Sequence, residues 1–291
     1  MLDFDCAIAT IEEEHHEGEN IRGAMKKSGH MGNANGELQF DRIADEYVCF
    51  HRSLPGTRLY LEYLYRVIIQ ELGSLPANSR ILEIMSGQGD LGNEIMKLIG
   101  SDVVALDISQ KILSYNRCGF LVCGNAIDLP FKDSTFDGVV VGGGLHHLSV
   151  SSLPFALSEI ARVVKDGCRF CFFEPTDDFL PIHLLRQFFY GRLDDYLGDR
   201  DEEIIFYQPM LLSSLKKAGF TEISIRPFGS VGYGLLSQAD AIRFLQIFAK
   251  KRWFARLLIR FEKFLSSVPF MRRMAFGVTG VAERGIDDDC H

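Results

Sequence analysis

Between Arg80 and Glu174, short apolar runs alternate with stretches whose apolar residues recur at helical spacing. That alternation constrains the chain most. Strands separated by crossover helices fold as a parallel sheet with helices on its faces. The pattern predicts strands over residues 80–85, 102–106, 120–123, 136–141 and 169–174, with helices over 90–99, 109–116 and 153–164 between them. A further helix over 210–218 stops at Gly219, a sixth strand covers 222–226, and a last β-like run covers 276–283. If the last two runs pair, residues 227–275 are too long for an ordinary connection and read as a helical cap.

Residues 1–36 are polar, with a Gly/Asn-rich end, and read as a tail and linker. Residues 40–72 follow as a helix, with Leu59, Tyr63, Val67 and Ile68 at helix spacing and Gly73 as its stop. The expected organisation is a tail over 1–36, a helical lead-in or lid over 37–74, one domain over 75–285 with a cap insertion over 228–274, and a tail over 286–291.

Composition excludes several function classes. The formal charge of -8 argues against a broad nucleic-acid footprint, so no nucleic-acid partner is expected. No apolar run approaches the roughly 20 residues that span a bilayer, and residues 1–10 lack a cationic n-region, so the expected location is cytoplasmic. The His15-His16 pair lacks further spaced ligands, so no metal is expected. The 7 Cys read as reduced thiols. Cys168 and Cys171 lie in an alternating apolar run, where a strand sends positions three apart to opposite faces and so separates the two thiols.

The first predicted strand runs into Glu83-Ile84-Met85-Ser86-Gly87-Gln88-Gly89-Asp90-Leu91-Gly92. Glycines at 87 and 89 let the backbone turn tightly and approach a ligand, while a helix starting near Asp90 aims free N–H groups at it. Taken literally, Gly87-x-Gly89-x-x-Gly92 also matches the dinucleotide fingerprint, and Asp107 follows at about 20 residues, the spacing of a ribose carboxylate. Glu83 argues the other way. A carboxylate just before the turn disfavours a pyrophosphate and favours a cationic ligand.

This segment resembles the first motif of class I S-adenosylmethionine-dependent methyltransferases, an acidic residue followed by Gly-x-Gly-x-Gly, here with Met85 in place of the first glycine. The resemblance extends to the strand ending at Asp107, to Gly124-Asn125-Ala126-Ile127-Asp128-Leu129-Pro130-Phe131, and to the fourth strand with its following Gly142-Gly143-Gly144-Leu145-His146-His147-Leu148. It implies an α/β, Rossmann-like doubly wound seven-stranded sheet, mostly parallel with an antiparallel last strand, carrying a helical lead-in and cap. It also implies S-adenosylmethionine as cofactor, held by Glu83, Ser86, Gly87, Gly89, Asp107, Ile108, Asn125, Ala126 and Gly142. Asp107 would grip the ribose hydroxyls and Asn125 the adenine edge. Tyr47, in a segment similar to the family's cofactor-covering helix, joins this set.

The reaction so implied is methylation of a small molecule, with oxygen acceptors ahead of carbon and nitrogen. His146 and His147, after a strand's C-terminal end, are candidate bases, and Glu174 before Pro175 is a third. Phe244, Phe248, Phe254, Leu258, Phe261 and Leu265 form an apolar stripe in the cap, with Arg252, Arg256, Arg260 and Lys263 on another face. The stripe is expected to pack on its own domain and to roof a pocket for an apolar or lipid-linked substrate. Weak membrane-surface contact through residues 241–273 is the alternative use of the basic face. Two other readings stay open: a non-catalytic nucleoside-binding module and a peripheral membrane protein of the same fold. The oligomeric state is not legible.

Overall fold

The computed structural model describes residues 41, 44–45, 48–49, 53–76, 78–176, 178, 206–229, 231–236, 246–268 and 275–286. Helix α1 (Pro55–Leu72) is followed by β1 (Arg80–Ile84), α2 (Asp90–Ile99), β2 (Asp102–Asp107), the short α3 (Gln110–Leu113) and β3 (Phe120–Cys123). Next come β4 (Phe136–Gly142), a 3-10 turn (Leu145–His147), α4 (Leu153–Val163) and β5 (Val164–Pro175). The chain closes with α5 (Gln208–Lys217), β6 (Phe220–Phe228), the helices α6 (Val231–Leu236), α7 (Gln246–Ala249) and α8 (Arg252–Ser267), and β7 (Gly277–Arg284).

The strands form one seven-stranded sheet in the order β3-β2-β1-β4-β5-β7-β6. β1 to β5 pair in parallel, and β7 lies antiparallel between β5 and β6. The sheet order reverses between β1 and β4, the switch point at whose strand C-termini open α/β sheets bind ligands.

Strand periodicity sorts the apolar residues to two faces. Leu82, Ile84, Val104, Leu106, Val139, Val141, Phe170 and Phe172 pack with α4 and α5 on one face. Ile81, Val103, Ala105, Val140, Cys171 and Phe173 pack with α1 and α2 on the other. Cys168 packs against the first cluster and Cys171 lies in the second, so β5 separates the two thiols.

Three local departures from the sequence expectation have physical causes. The lead-in helix breaks at Leu54 (φ -114°, ψ 87°), because Pro55 disfavours helical backbone in the residue before it. The helix expected over 109–116 shrinks to α3, capped where Ser109 Oγ accepts the Ile112 N–H at 3.1 Å, and Asn116 leaves it to bind the loop after β1. β5 begins at Val164 rather than near Arg169, and its pairing with β4 shifts register, with Gly167 in the left-handed region (φ +68°).

The described residues between β6 and β7 include three helices that pack on α1 through Leu54, Tyr60, Leu236, Ala249, Ala255 and Leu258. A buried contact fixes the joint. The Tyr60 hydroxyl donates to the Glu262 carboxylate at 2.8 and 3.0 Å, bringing residues 202 positions apart together. The expected apolar stripe is corrected: Ala255, Leu258, Glu262 and Leu265 of α8 face inward, whereas Phe261 and, on α7, Phe248 are exposed. Leu258 and Phe261, three positions apart, fall on different sides because the inward stripe is narrow. Phe244 lies outside the described residues.

Candidate functional site

The loop after β1 is built on unusual backbone. Met85, where the family pattern has glycine, adopts the left-handed conformation with φ +56°. Non-glycine residues reach that region at a cost of roughly 1–2 kcal/mol. The site recovers part of it by packing: a Cβ on Gly144 would stand 2.6 Å from Met85 Sδ, so the thioether fills the space a side chain there would need. Gly87 follows at φ +53°, and its N–H donates to Asp107 Oδ2 at 2.8 Å. A Cβ at Gly87 would meet only Ile112 Cγ2, at 3.9 Å, so this glycine borders open space. The Gly89 N–H closes the turn onto Ser86 O at 2.8 Å, and Gly89 caps α2 with no side-chain acceptor. Ser86 is buried.

Glu83 does not open toward this space. Its carboxylate accepts the Gly92 N–H at 3.1 Å beneath the first turn of α2. Burial holds its carboxyl well above the ordinary carboxylate range, opposed by that N–H and reinforced by Asp90 and Asp107. Gly92 is required here because any Cβ would come within 2.5 Å of Glu83 Oε2.

Asp107 ends β2 with both oxygens engaged, Oδ2 by Gly87 N–H at 2.8 Å and Oδ1 by Ser109 N–H at 2.9 Å. Burial raises its pKa, while the N–H groups of Ser109, Gly87 and Ile108 pull it down. With about four acceptor positions on a carboxylate, these N–H groups leave acceptor capacity over. Ile108 is half-buried. Two residues of the lead-in dock beside it: Asp41 accepts from Ser109 Oγ, and Asp45 accepts from the Tyr115 hydroxyl and pairs with Lys111 at 2.9 Å. Tyr47 lies outside the described residues.

Asn125 Oδ1 accepts its neighbour's Ile127 N–H at 3.2 Å, and Ala126 is buried. The Leu129-Pro130-Phe131 run is held by α4. Glu159 accepts the Leu129 N–H at 2.7 Å, and Arg162 donates to the carbonyls of Leu129 and Phe131 at 3.0 and 2.6 Å.

At the end of β4, Gly142 is exposed, and the chain passes into the 3-10 turn carrying both candidate histidines. Glu174, fully buried at the end of β5, gathers this turn. Its Oε1 accepts the Gly144 and Leu145 N–H groups at 2.9 and 2.7 Å, and its Oε2 accepts the His146 N–H at 3.2 Å and meets His146 Nδ1 at 2.8 Å. The His147 ring lies 3.9 Å from that of His146, centroid to centroid.

A methyltransferase-domain family model matches residues 81–167, from β1 into the first residues of β5. A 2-phytyl-1,4-naphtoquinone methyltransferase from Synechococcus elongatus is 31% identical over 170 residues, covering 54% of this chain and 70% of that protein. The chain belongs to the class I S-adenosylmethionine-dependent methyltransferase family. A demethylmenaquinone methyltransferase from Symbiobacterium thermophilum is 34% identical over 152 residues, a match spanning 48% of this chain and 59% of that protein. A methyltransferase structure from Archaeoglobus fulgidus shares the fold with a TM-score of 0.56 at 20% identity, covering 82% of this chain and 99% of that one.

As a class I methyltransferase the chain is an enzyme that uses S-adenosylmethionine. The crevice groups come from the ends of β1, β2, β4 and β5. Sequence reasoning missed Asn116, whose amide donates to Gly87 O at 3.2 Å and to Ser86 Oγ at 3.3 Å, and it missed Asp41, Glu159 and Arg162. A single Asn in a loop carries no periodic signal. The spacing of Glu159 and Arg162, one helical turn apart on α4, is the trace their pairing leaves.

Proposed function

We propose that this methyltransferase transfers a methyl group to a ring carbon of an apolar, hydroxylated aromatic acceptor of the naphthoquinol kind. The names of the two quinone-methylating relatives support the acceptor class. A 2-alkyl-1,4-naphthoquinone carries its open position on the quinone ring carbon, which moves the preference from oxygen to carbon.

The residues present fit the cofactor. Open space at Gly87 admits it, and Asp107 has acceptor positions left for sugar hydroxyls. Bound there, S-adenosylmethionine supplies an electrophilic methyl group on a cationic sulfur. Gly87, Gly89, Asp107, Ile108 and Ala126 would line the seat, with Ser86 shaping the turn and Gly142 bordering the methyl end. Glu83, occupied beneath α2, shapes the turn instead of touching the cofactor. Asn125, its carbonyl already used, offers its amide nitrogen to a ring acceptor.

The Glu174–His146 pair carries the chemical reading. Three backbone N–H groups already donate to Glu174, which an ionised carboxylate accepts without donating in return. The His146 bond therefore runs from Nδ1–H to Oε2, and in its neutral form the ring keeps Nε2 unprotonated, as an acceptor. That nitrogen has no protein partner among the described residues. It takes the hydroxyl proton of the acceptor, which raises electron density at the ring carbon beside the hydroxyl; once that carbon is methylated its hydrogen leaves as a proton and the oxygen regains one, restoring the quinol. Glu174 is a positioning residue, and His147 packs the ring.

The test is methyl transfer from labelled cofactor to reduced 2-alkyl-1,4-naphthoquinones, followed by fragmentation or NMR to place the methyl group. Label on the ring carbon, lost in His146→Asn, supports the reading. Transfer to an acceptor oxygen, or only to amines in a wider panel, overturns it.

A further inference from the structure

α8 presents two apolar faces, and among the described residues only the inner one has a partner. Ala255, Leu258, Glu262 and Leu265 turn toward α1. On the other side Trp253, Leu257, Phe261 and Phe264 recur at intervals of four, four and three and are 63%, 54%, 45% and 62% exposed. This is one continuous helical stripe. Ile247 and Phe248 on α7 extend it, at 66% and 41% exposure. Scattered exposed apolar residues need no explanation, but an aligned stripe of large side chains does.

The stripe has a charged border. Lys250, Lys251, Arg252, Arg256, Arg260 and Lys263 are all exposed, and Glu262, the one acid between residues 246 and 268, is buried against Tyr60. On the helical wheel Arg252, Lys263, Arg256 and Arg260 fall on one flank of the stripe. Among the described residues no ion pair joins these cations to a carboxylate, though Lys263 Nζ lies 5.3 Å from the centroid of the Tyr63 ring on α1, in a chain whose formal charge is -8.

We propose that the outer face of α7 and α8 docks on an anionic phospholipid bilayer, lying in the interface with the aromatic stripe below the headgroups and the cations against them. Charge complementarity selects this occupant. An antiparallel second copy would set the same cations against each other, whereas a bilayer with anionic headgroups offers an apolar layer and negative charge side by side. Trp and Phe are the side chains such an interface favours, and α8, at about 24 Å for its length, lies along it. No described helix is long and apolar enough to cross a membrane, so the contact is peripheral. The inner face of α8 packs on α1, whose Tyr65 stands 3.7 Å from where a Gly142 Cβ would lie, so docking sets the crevice close to the lipid. The inference does not depend on the acceptor's identity.

Trp253 is the only tryptophan of the chain and reports the contact directly. The full chain is mixed with phosphatidylcholine vesicles with or without phosphatidylglycerol, and tryptophan emission and co-sedimentation are read at low and high salt. The expected result is a blue shift and sedimentation with the anionic vesicles only, reversed by salt. Arg256→Gln with Arg260→Gln should weaken partitioning roughly 25-fold, at about fivefold per cation. Leu257→Ser with Phe264→Ser should abolish the shift while cofactor binding by calorimetry, the check on folding, is retained. Absence of a shift and of sedimentation on anionic vesicles overturns the proposal. So does salt-independent binding to neutral vesicles, or a dimer in light scattering that buries Trp253 and is lost in the Ser variant. Each outcome is separate from methyl transfer, so failure here leaves the acceptor reading untouched, and the reverse holds.

Discussion

Glu174→Gln separates a positioning carboxylate from a passive one. The carboxylate takes four hydrogen bonds at 2.7–3.2 Å with no solvent exposure. Glutamine has one carbonyl. If that oxygen stays over the Gly144 and Leu145 N–H groups, the amide nitrogen faces the His146 N–H, and two donors oppose each other. The same nitrogen then donates to Nδ1, which moves the ring proton to Nε2 and removes the base. One hydrogen bond to a charged group is lost outright and two become neutral, at about 1.5–3 kcal/mol for each charged bond against nearer 1 for a neutral one. Relief from burying the charge offsets part of this, leaving a net loss of about 1–3 kcal/mol. At about 2–4 °C per kcal/mol the melting temperature should fall by roughly 2–12 °C. kcat should fall about 10²- to 10⁴-fold, the usual worth of general base catalysis. Cofactor affinity, set on β1 and β2, should stay within about twofold. The assay pairs a calorimetric cofactor titration with labelled-methyl transfer below the variant's melting range. A kcat within a factor of about two of the parent, in a protein that melts earlier, would refute the reasoning and reduce Glu174 to a loop staple.

Gly87→Lys fills the open space of the turn and should abolish cofactor binding in calorimetry while the melting temperature changes by only a few degrees. Glu83 titrates well above the ordinary carboxylate range because it is buried, and the folded protein therefore holds that proton more tightly than the unfolded chain. Stability should accordingly fall as pH rises from about 4.5 through the raised value, and Glu83→Gln should flatten that slope and melt higher than the parent at neutral pH. Tyr60→Phe removes the hydroxyl that donates to buried Glu262 and should cost about 1–3 kcal/mol in urea unfolding, since a buried carboxylate loses a donor. Gly144→Ala brings a Cβ within 2.6 Å of Met85 Sδ and should lower activity, and pairing it with Met85→Gly, which also relieves the left-handed strain, should restore part of the loss.

The sheet was legible because its signals are periodic. β3 and α2 have the bounds that the alternation and helical spacing predict, and the separation of Cys168 from Cys171 follows from strand geometry alone. Departures concentrate where a tertiary partner outbids local preference. Asn116 is drawn out of a helical pattern by the carbonyl of Gly87, and α8 carries two apolar stripes that a one-dimensional pattern merges into one. The candidate site was legible as a set of positions and less so as a set of roles. Glu83 and Glu174 stand where chemistry-bearing carboxylates were expected, and both also brace backbone, Glu83 through Oε2 and Glu174 through both oxygens.

Those roles share one physical logic. Loops at the C-terminal edge of a parallel sheet expose backbone N–H groups that neither strand nor helix satisfies, and leaving them buried without partners is costly. Three strand-end carboxylates answer that need. Glu83 on β1 takes the Gly92 N–H of the following helix, Asp107 on β2 takes the Gly87 N–H of the neighbouring turn, and Glu174 on β5 takes three N–H groups of the loop after β4. Asp107 and Glu174 thus hold the loop of an adjacent strand, so the walls of the crevice are tied across the sheet and not only along the chain. Several N–H donors on one carboxylate also keep a buried charge tolerable, because hydrogen bonds to the ionised form oppose the cost of desolvation. The proposed function draws on what this bracing leaves over: the remaining acceptor capacity of Asp107, and the ring nitrogen of His146 that Glu174 does not occupy.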